Sequence, residues 1–260
     1  MEIKQLLKSK NQNLVSNKKE LNLLEEKEVK LNEQKSNTDQ NFNVINAELN
    51  SLSSILGDDT LNKNTLEKTM NNIGNLEKAI GSVLGETILA PIDSNQYHSL
   101  NNTYWRNDLK NNSSSKLPEG AIPIISKIEK NSILDIALVG VGIVKDQETA
   151  YKLQKDLSFG QALTTSKGGL WRWDGFVQPQ GVQNSYSERL QQIARVRLLQ
   201  KKLPTLKKEQ DVIESKISKN QLSLKQHKLN IFNLEAELSK ITIDLNTLDL
   251  SNSKLDAKLV

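Results

Sequence analysis

Apolar residues fall into two interleaved series along residues 3–56. Leu7, Leu14, Leu21, Glu28, Lys35, Phe42, Leu49 and Leu56 form one; Ile3, Lys10, Asn17, Leu24, Leu31, Thr38, Ile45 and Leu52 form the other. Each advances by seven and the two are offset by three, the a and d positions of a heptad repeat. No proline interrupts them. The spacing predicts one helix about 80 Å long at 1.5 Å rise per residue. So narrow a seam is buried only if a partner lies along it.

The pattern returns after residue 185. Val196, Leu203, Gln210, Ile217, Leu224, Ile231, Leu238, Leu245, Asn252 and Leu259 form one line; Leu199, Leu206, Ile213, Asn220, His227, Leu234, Ile241, Leu248 and Leu255 form the other. Pro204 sits inside this run and predicts a restart or kink. Two matched arms predict a chain that goes out, turns and zips back antiparallel. With a opposite d and arm ends flush, facing residue numbers sum to 262, so Leu24 meets Leu238. A shift to 255 sets Glu28 beside His227 and Lys35 beside Asn220. The flush register is preferred.

Residues 69–184 carry no heptads and read as a compact module between arms 1–68 and 185–260. Gly57-Asp58-Asp59 ends the first arm, and Thr60 to Asn72 reads as a short second helix. Leu76 to Gly85 has helical spacing and a glycine stop. Strands are expected at Ile88–Ile92, with Pro91 marking an edge, and at Ala121–Ile125. Residues 93–118 read as a long polar loop. A helix Ile133–Leu138 precedes a buried strand at Val139–Val144. Asp146 caps a helix Gln147–Leu157. Ala162–Thr165 and Leu170–Trp173 are strands around a Lys167-Gly168-Gly169 turn, and Asp174-Gly175 makes a tight hairpin before Phe176-Val177 returns. The fold class is therefore α+β: a small mixed α/β module at the tip of a long intramolecular antiparallel coiled coil.

Composition narrows the function. Only 36% of residues are hydrophobic and 4% aromatic, low for one globule of 260 residues. There is no cysteine, so disulfides and thiol chemistry are excluded. No apolar run suggests a membrane span and no signal peptide opens the chain. A cytoplasmic protein is expected. Met1 is equally compatible with an excised fragment, since a helix begins at once. Charge is uneven: residues 1–68 hold 10 basic and 11 acidic residues, 69–184 hold 11 of each, and 185–260 hold 14 basic and 9 acidic. A polyanion should meet the returning arm. There, Arg189, Arg195, Arg197, Lys201, Lys202, Lys207 and Lys208 occur with no acid among them. Such a cluster suits salt-sensitive, sequence-blind DNA binding.

Catalytic chemistry finds no footing. No GxxxxGK[ST] loop is present. His98 and His227 lack ligand-like neighbours, so neither a metal site nor acid–base catalysis is expected. Val139-Gly140-Val141-Gly142-Ile143-Val144 lacks the third glycine and helix start of a dinucleotide loop and reads as a close-packed strand. Trp171 and Trp173 alternate onto one strand face, where packing is favoured over base stacking.

The run Gly160-Gln161-Ala162-Leu163-Thr164-Thr165-Ser166-Lys167-Gly168-Gly169-Leu170-Trp171-Arg172-Trp173-Asp174-Gly175-Phe176 resembles the C-terminal half of the hinge domain of bacterial structural-maintenance-of-chromosomes (SMC) proteins. It is nearest to the alphaproteobacterial pattern GQxLVTxxGDLWRWDGF. Val141–Val144 and the Ala79–Gly85 helix are similar to other hinge segments. This chain departs from the pattern with Gly169 in place of Asp, and with Gly181 alone where a glycine pair is usual. The resemblance implies a non-catalytic hinge that homodimerises, with Gly168, Gly169, Trp171, Arg172, Trp173 and Gly175 in the interface or its hairpin. It implies DNA held near the hinge–coil junction of a nucleoid-associated protein that condenses and segregates chromosomes. ATP, Mg²⁺ and accessory kleisin-type subunits would belong to ATPase heads outside this chain, which itself needs no cofactor. The competing reading is a coiled-coil adaptor whose globular tip clamps a protein partner, with no DNA role.

Overall fold

The computed structural model describes residues 2–57, 64–70, 72–93, 103–110 and 116–256. In chain order the elements are α1 Glu2–Leu56, α2 Leu66–Thr69, α3 Glu77–Leu84, β1 Ile92–Asp93, β2 Trp105–Arg106, β3 Ile122–Pro123, α4 Ser132–Ala137, β4 Val141–Val144, α5 Gln147–Gln154, β5 Ala162–Thr165, β6 Leu170–Arg172, β7 Val177–Gln178 and α6 Ser185–Asp256. Short 3₁₀ turns occupy Gly85–Leu89 and Ile124–Lys127. The chain divides into two compact units: residues 1–45 with 202–260, and residues 46–201.

In the first unit α1 and α6 pair antiparallel. The a and d positions from Leu7 to Ile45 and from Leu203 to Leu245 are buried or half-buried. Leu31, Ile45, Leu206, Leu224 and Ile231 are the most enclosed apolar ones. Ion pairs bracket the seam: Lys10–Glu237 at 2.6 Å, Lys18–Glu235 at 2.8 Å and Lys35–Glu214 at 3.1 Å. α6 runs through Pro204 without a break, so the expected restart is not seen.

The register differs from both alternatives read from the sequence. Cross-helix contacts join residues whose numbers sum to 244–253, which centres the pairing one heptad below 255. Leu24 therefore lies level with Leu224, not Leu238. The physical reason lies in the polar residues of the seam. In this register Asn220 Nδ2 donates to the Leu24 carbonyl at 3.0 Å, Gln210 Nε2 to Asp39 at 2.7 Å, and His227 Nδ1 lies 3.2 Å from Asn17 Oδ1. Each of these side chains finds a partner for one of its polar atoms, and a buried polar group without one is destabilising. Flush ends offer no comparable gain.

The second unit is built on a five-stranded sheet of order β3-β4-β5-β6-β7. β4 and β5 are parallel, joined by α5, and the other pairings are antiparallel. Side-chain caps start the helices: Asn131 accepts from Ile133 N and Leu134 N at α4, and Asp146 from Thr149 N at 2.8 Å at α5. The larger core joins Leu66, Met70, Ile80, Ile88, Ile124, Leu134, Leu138 and Leu190; a smaller one joins Val144, Ala150, Leu163 and Trp171. The larger core thus draws Leu66 and Leu190 from outside the 69–184 stretch.

Several expected elements are shorter. Ile88–Ile92 is not a strand. The Thr87 hydroxyl donates to the Leu84 carbonyl at 2.6 Å, which tightens the chain into the 3₁₀ turn, and Ile88 plugs the core. Ile92–Asp93 pairs in parallel with Trp105–Arg106, and Pro91 makes an isolated antiparallel bridge with Thr65. The strand expected at Ala121–Ile125 is reduced to Ile122–Pro123. The helix expected over Thr60–Asn72 appears as α2; residues 58–63 and 71 lie outside the described residues, as does His98.

Candidate functional site

The β5–β6–β7 meander holds every hairpin residue singled out in the sequence. Gly168 turns the chain at φ +87° and donates its N–H to the Thr165 carbonyl at 2.9 Å. Its own carbonyl accepts from Ser82 Oγ at 2.7 Å and from Gln178 Nε2 at 3.2 Å, tying the turn to α3 and β7. The Gly169 carbonyl accepts from the Thr164 hydroxyl at 2.7 Å. Trp171 is fully buried, edge-on to Tyr151 with ring centroids 5.7 Å apart. These three residues hold the meander from inside and present no outer surface for a partner.

The outer surface comes from Arg172 onward. Arg172 pairs with Asp174 at 2.5 Å, lies 5.6 Å over the Phe176 ring, and donates its N–H to the Phe176 carbonyl at 2.9 Å. Gly175 closes this turn at φ +88°. Trp173 does not share the fate of Trp171. It lies beyond the last β6 residue, 41% exposed, against Phe159 at 4.4 Å, itself 85% exposed. The expected pair of tryptophans on one face is replaced by one core ring and one surface ring. Phe159, Arg172, Trp173 and Phe176 together make an exposed aromatic and cationic surface. Phe159 and Phe176 were not singled out as site residues. The signal for Phe159 was an aromatic alone in a Ser158–Gly160 turn, outside any periodic series.

The basic cluster separates by residue type. All three arginines are engaged by the fold. Arg189 forks onto Glu67, Nε–Oε2 2.7 Å and Nη2–Oε1 3.0 Å, with the carboxylate only 1% exposed. Arg197 caps α2: its guanidinium donates to the Met70, Glu67 and Lys68 carbonyls. Burial pushes that guanidinium below its ordinary pKa, opposed by nearby Glu67. Arg195 forks onto Glu48 at 2.6 and 2.8 Å, and this hydrogen bonding holds the Glu48 carboxyl below its ordinary value. The hydrogen bonds of these three arginines go to protein acceptors, and Arg195 keeps 48% of its side chain exposed. Lys201, Lys202, Lys207 and Lys208 are exposed. Among the described residues only Lys207 has an acid near, Asp211 at 3.8 Å.

His227 sits in the coil seam, Nε2 3.6 Å from Glu20. Among the described residues no cluster of metal-ligating side chains occurs, and no helix is long and apolar enough to cross a membrane. The Val139–Val144 glycines serve close packing: a Cβ on Gly142 would lie 2.9 Å from Ala121 Cβ.

No family model matches the chain. Over 120 residues it is 32% identical to a chromosome partition protein Smc of Rhodopseudomonas palustris; the match covers 46% of this chain and 10% of that protein. Among solved structures, an asymmetric dimer of the Geobacillus stearothermophilus SMC hinge domain matches with a TM-score of 0.51 and 14% identity, covering 81% of this chain and 98% of that one. The Pyrococcus furiosus Smc hinge domain with an extended coiled coil matches with a TM-score of 0.41 and 14% identity, covering 96% of each. The mixed α/β sheet with its long helices has the fold of an SMC hinge domain.

Proposed function

We propose that this chain is the hinge and hinge-proximal coiled coil of a chromosome-organising SMC-type ATPase, and that its part is mechanical rather than catalytic. The observation that carries the reading is the hinge fold of the module joined to helices that zip antiparallel. On this reading the ATPase heads, with ATP, Mg²⁺ and any kleisin-type subunit, lie outside this chain, and the protein works in the cytoplasm on the nucleoid. Two copies join through their modules. Arg172, Trp173 and Phe176, with Phe159, supply the contact, while Gly168, Gly169, Trp171 and Gly175 fix the shape of the meander that presents them. Exposed rings beside a cation suit a protein–protein contact. DNA meets the returning helix through Lys201, Lys202, Lys207 and Lys208, whose ammonium groups are open to phosphate.

Sedimentation of the full chain at tens of micromolar tests the first half. A dimer is expected, converted to monomer by Trp173→Glu with Phe176→Glu. A dimer unmoved by that pair of changes overturns this contact, and a strict monomer overturns the hinge reading. The adaptor reading draws on the same exposed rings but leaves the four lysines without a role.

A further inference from the structure

Between residues 40 and 57 the chain carries a single charge, Glu48 of α1. It lands on Arg195 of α6, inside the run from Arg189 to Lys208 that holds seven basic residues and no acid. The contact is a two-pronged fork, Nε–Oε1 2.6 Å and Nη2–Oε2 2.8 Å. The other two arginines of the run are held differently. Arg189 meets a carboxylate sealed in the module, and Arg197 meets the carbonyls that end α2. The Arg195–Glu48 pair is open to water, with side chains 48% and 36% exposed. An ion pair that open contributes little to stability. It does decide what else the two donors can hold.

We propose that Glu48 masks Arg195: its carboxylate occupies the place of a DNA phosphate, and duplex DNA reaches this arginine only by displacing it. The proposal rests on the proposed DNA contact of the returning helix and names what limits that contact. A planar guanidinium takes carboxylate and phosphate through the same pair of parallel N–H donors, so the two occupants exclude each other. Exposure makes the exchange feasible, because neither partner has to leave a core. Lys202 follows Arg195 by seven residues, the spacing that puts both on one side of a helix. DNA held by the lysine therefore brings phosphate toward the fork. Once displaced, Glu48 is an unpaired carboxylate beside the incoming phosphates and opposes them. The native chain accordingly binds through its lysines, with Arg195 silent.

Duplex DNA titrations of the full chain at several salt concentrations, arranged as a double-mutant cycle, test this. Glu48→Gln is expected to tighten binding and to steepen the slope of log affinity against log salt by roughly 0.9, one added phosphate contact. The gain should then be roughly 3.5-fold larger at about 50 mM salt than at about 200 mM. Arg195→Gln should leave the slope of the native chain unchanged and remove the whole increment in the Glu48→Gln background. Glu188 is exposed and makes no ion pair with Arg195, so Glu188→Gln removes the same charge and should not steepen the slope. Equal steepening by the two acid changes is long-range charge alone and overturns the proposal. So does an Arg195→Gln effect that is the same in both backgrounds. If the native chain binds DNA through its lysines and Glu48→Gln adds nothing, the mask alone falls. If no variant binds DNA, the DNA contact falls with it.

Discussion

Gly169 lies so close to the indole of Trp171 that a Cβ on it would fall 2.4 Å from ring carbon Cη2. The ring occupies the space that the aspartate of the resembled pattern would need. Gly169→Ala is expected to destabilise the module by about 1–3 kcal/mol, the usual range for overpacking a filled core. Gly175 contrasts with it: no atom lies within 4 Å of its missing Cβ, but its φ is +88°, so Gly175→Ala meets backbone strain alone, about 1 kcal/mol. Denaturant melts followed by tryptophan fluorescence check the order. Equal losses would show that the ring moves aside freely.

Arg189 and Glu67 form the most enclosed ion pair described. Removing one partner strands a buried charge, which typically costs about 3–5 kcal/mol. Arg189→Met and Glu67→Gln should therefore each destabilise strongly, and the double variant should lose less than the two together. A double-mutant cycle in denaturant reads this directly, and strict additivity would contradict it.

Asp146 caps α5, and the backbone hydrogen bond from Thr149 holds its carboxyl below the ordinary aspartate value. A folded-state pKa below the unfolded one means stabilisation that is fully present above the ordinary value of about 3.9. It is lost as pH falls through the lowered folded value. Asp146→Asn should therefore flatten part of the acid limb of a melting-temperature profile. An unchanged acid limb would rule out a contribution from this cap.

Asn220 is buried in the coil seam, and its Oδ1 has no partner. A polar seam residue fixes register at a cost in stability. Asn220→Leu is expected to raise coil stability by about 1 kcal/mol, measured as a higher thermal midpoint by circular dichroism. A lowered midpoint would mean that the Leu24 carbonyl contact outweighs the desolvation.

Replacing Lys201, Lys202, Lys207 and Lys208 by Glu should abolish duplex DNA binding at moderate salt. Single Lys→Gln changes should each lower the slope of log affinity against log salt by roughly 0.9 if one phosphate contact is lost. Titrations at several salt concentrations decide it. Unchanged affinity in the fourfold variant would remove DNA from the account of this helix.

The heptads of both arms were legible because a seam repeats the same chemistry many times, so one polar intrusion such as Asn17 does not erase it. The β5–β6–β7 meander was legible from its turn glycines. Register was not, because any shift by seven keeps a opposite d, and only local matches such as Gln210 with Asp39 choose between them. The arginine contacts were not legible for a related reason: Glu67 and Glu48 lie more than a hundred residues from their partners in sequence. Residue type was the available clue. Planar arginine forks went to carboxylates and helix-end carbonyls, while the lysines stayed outside.

Trp105, Trp171 and Trp173 all belong to residues 46–201, and they differ in setting. Trp105 donates its Nε1–H to the Thr87 carbonyl at 2.7 Å, Trp171 is sealed in the small core, and Trp173 faces water. The coiled arms contain no tryptophan. Intrinsic emission therefore reports on the sheet unit alone, whereas most of the helical dichroism comes from the arms. One heating run watched by both signals can tell whether sheet and arms melt together or apart, with no label attached.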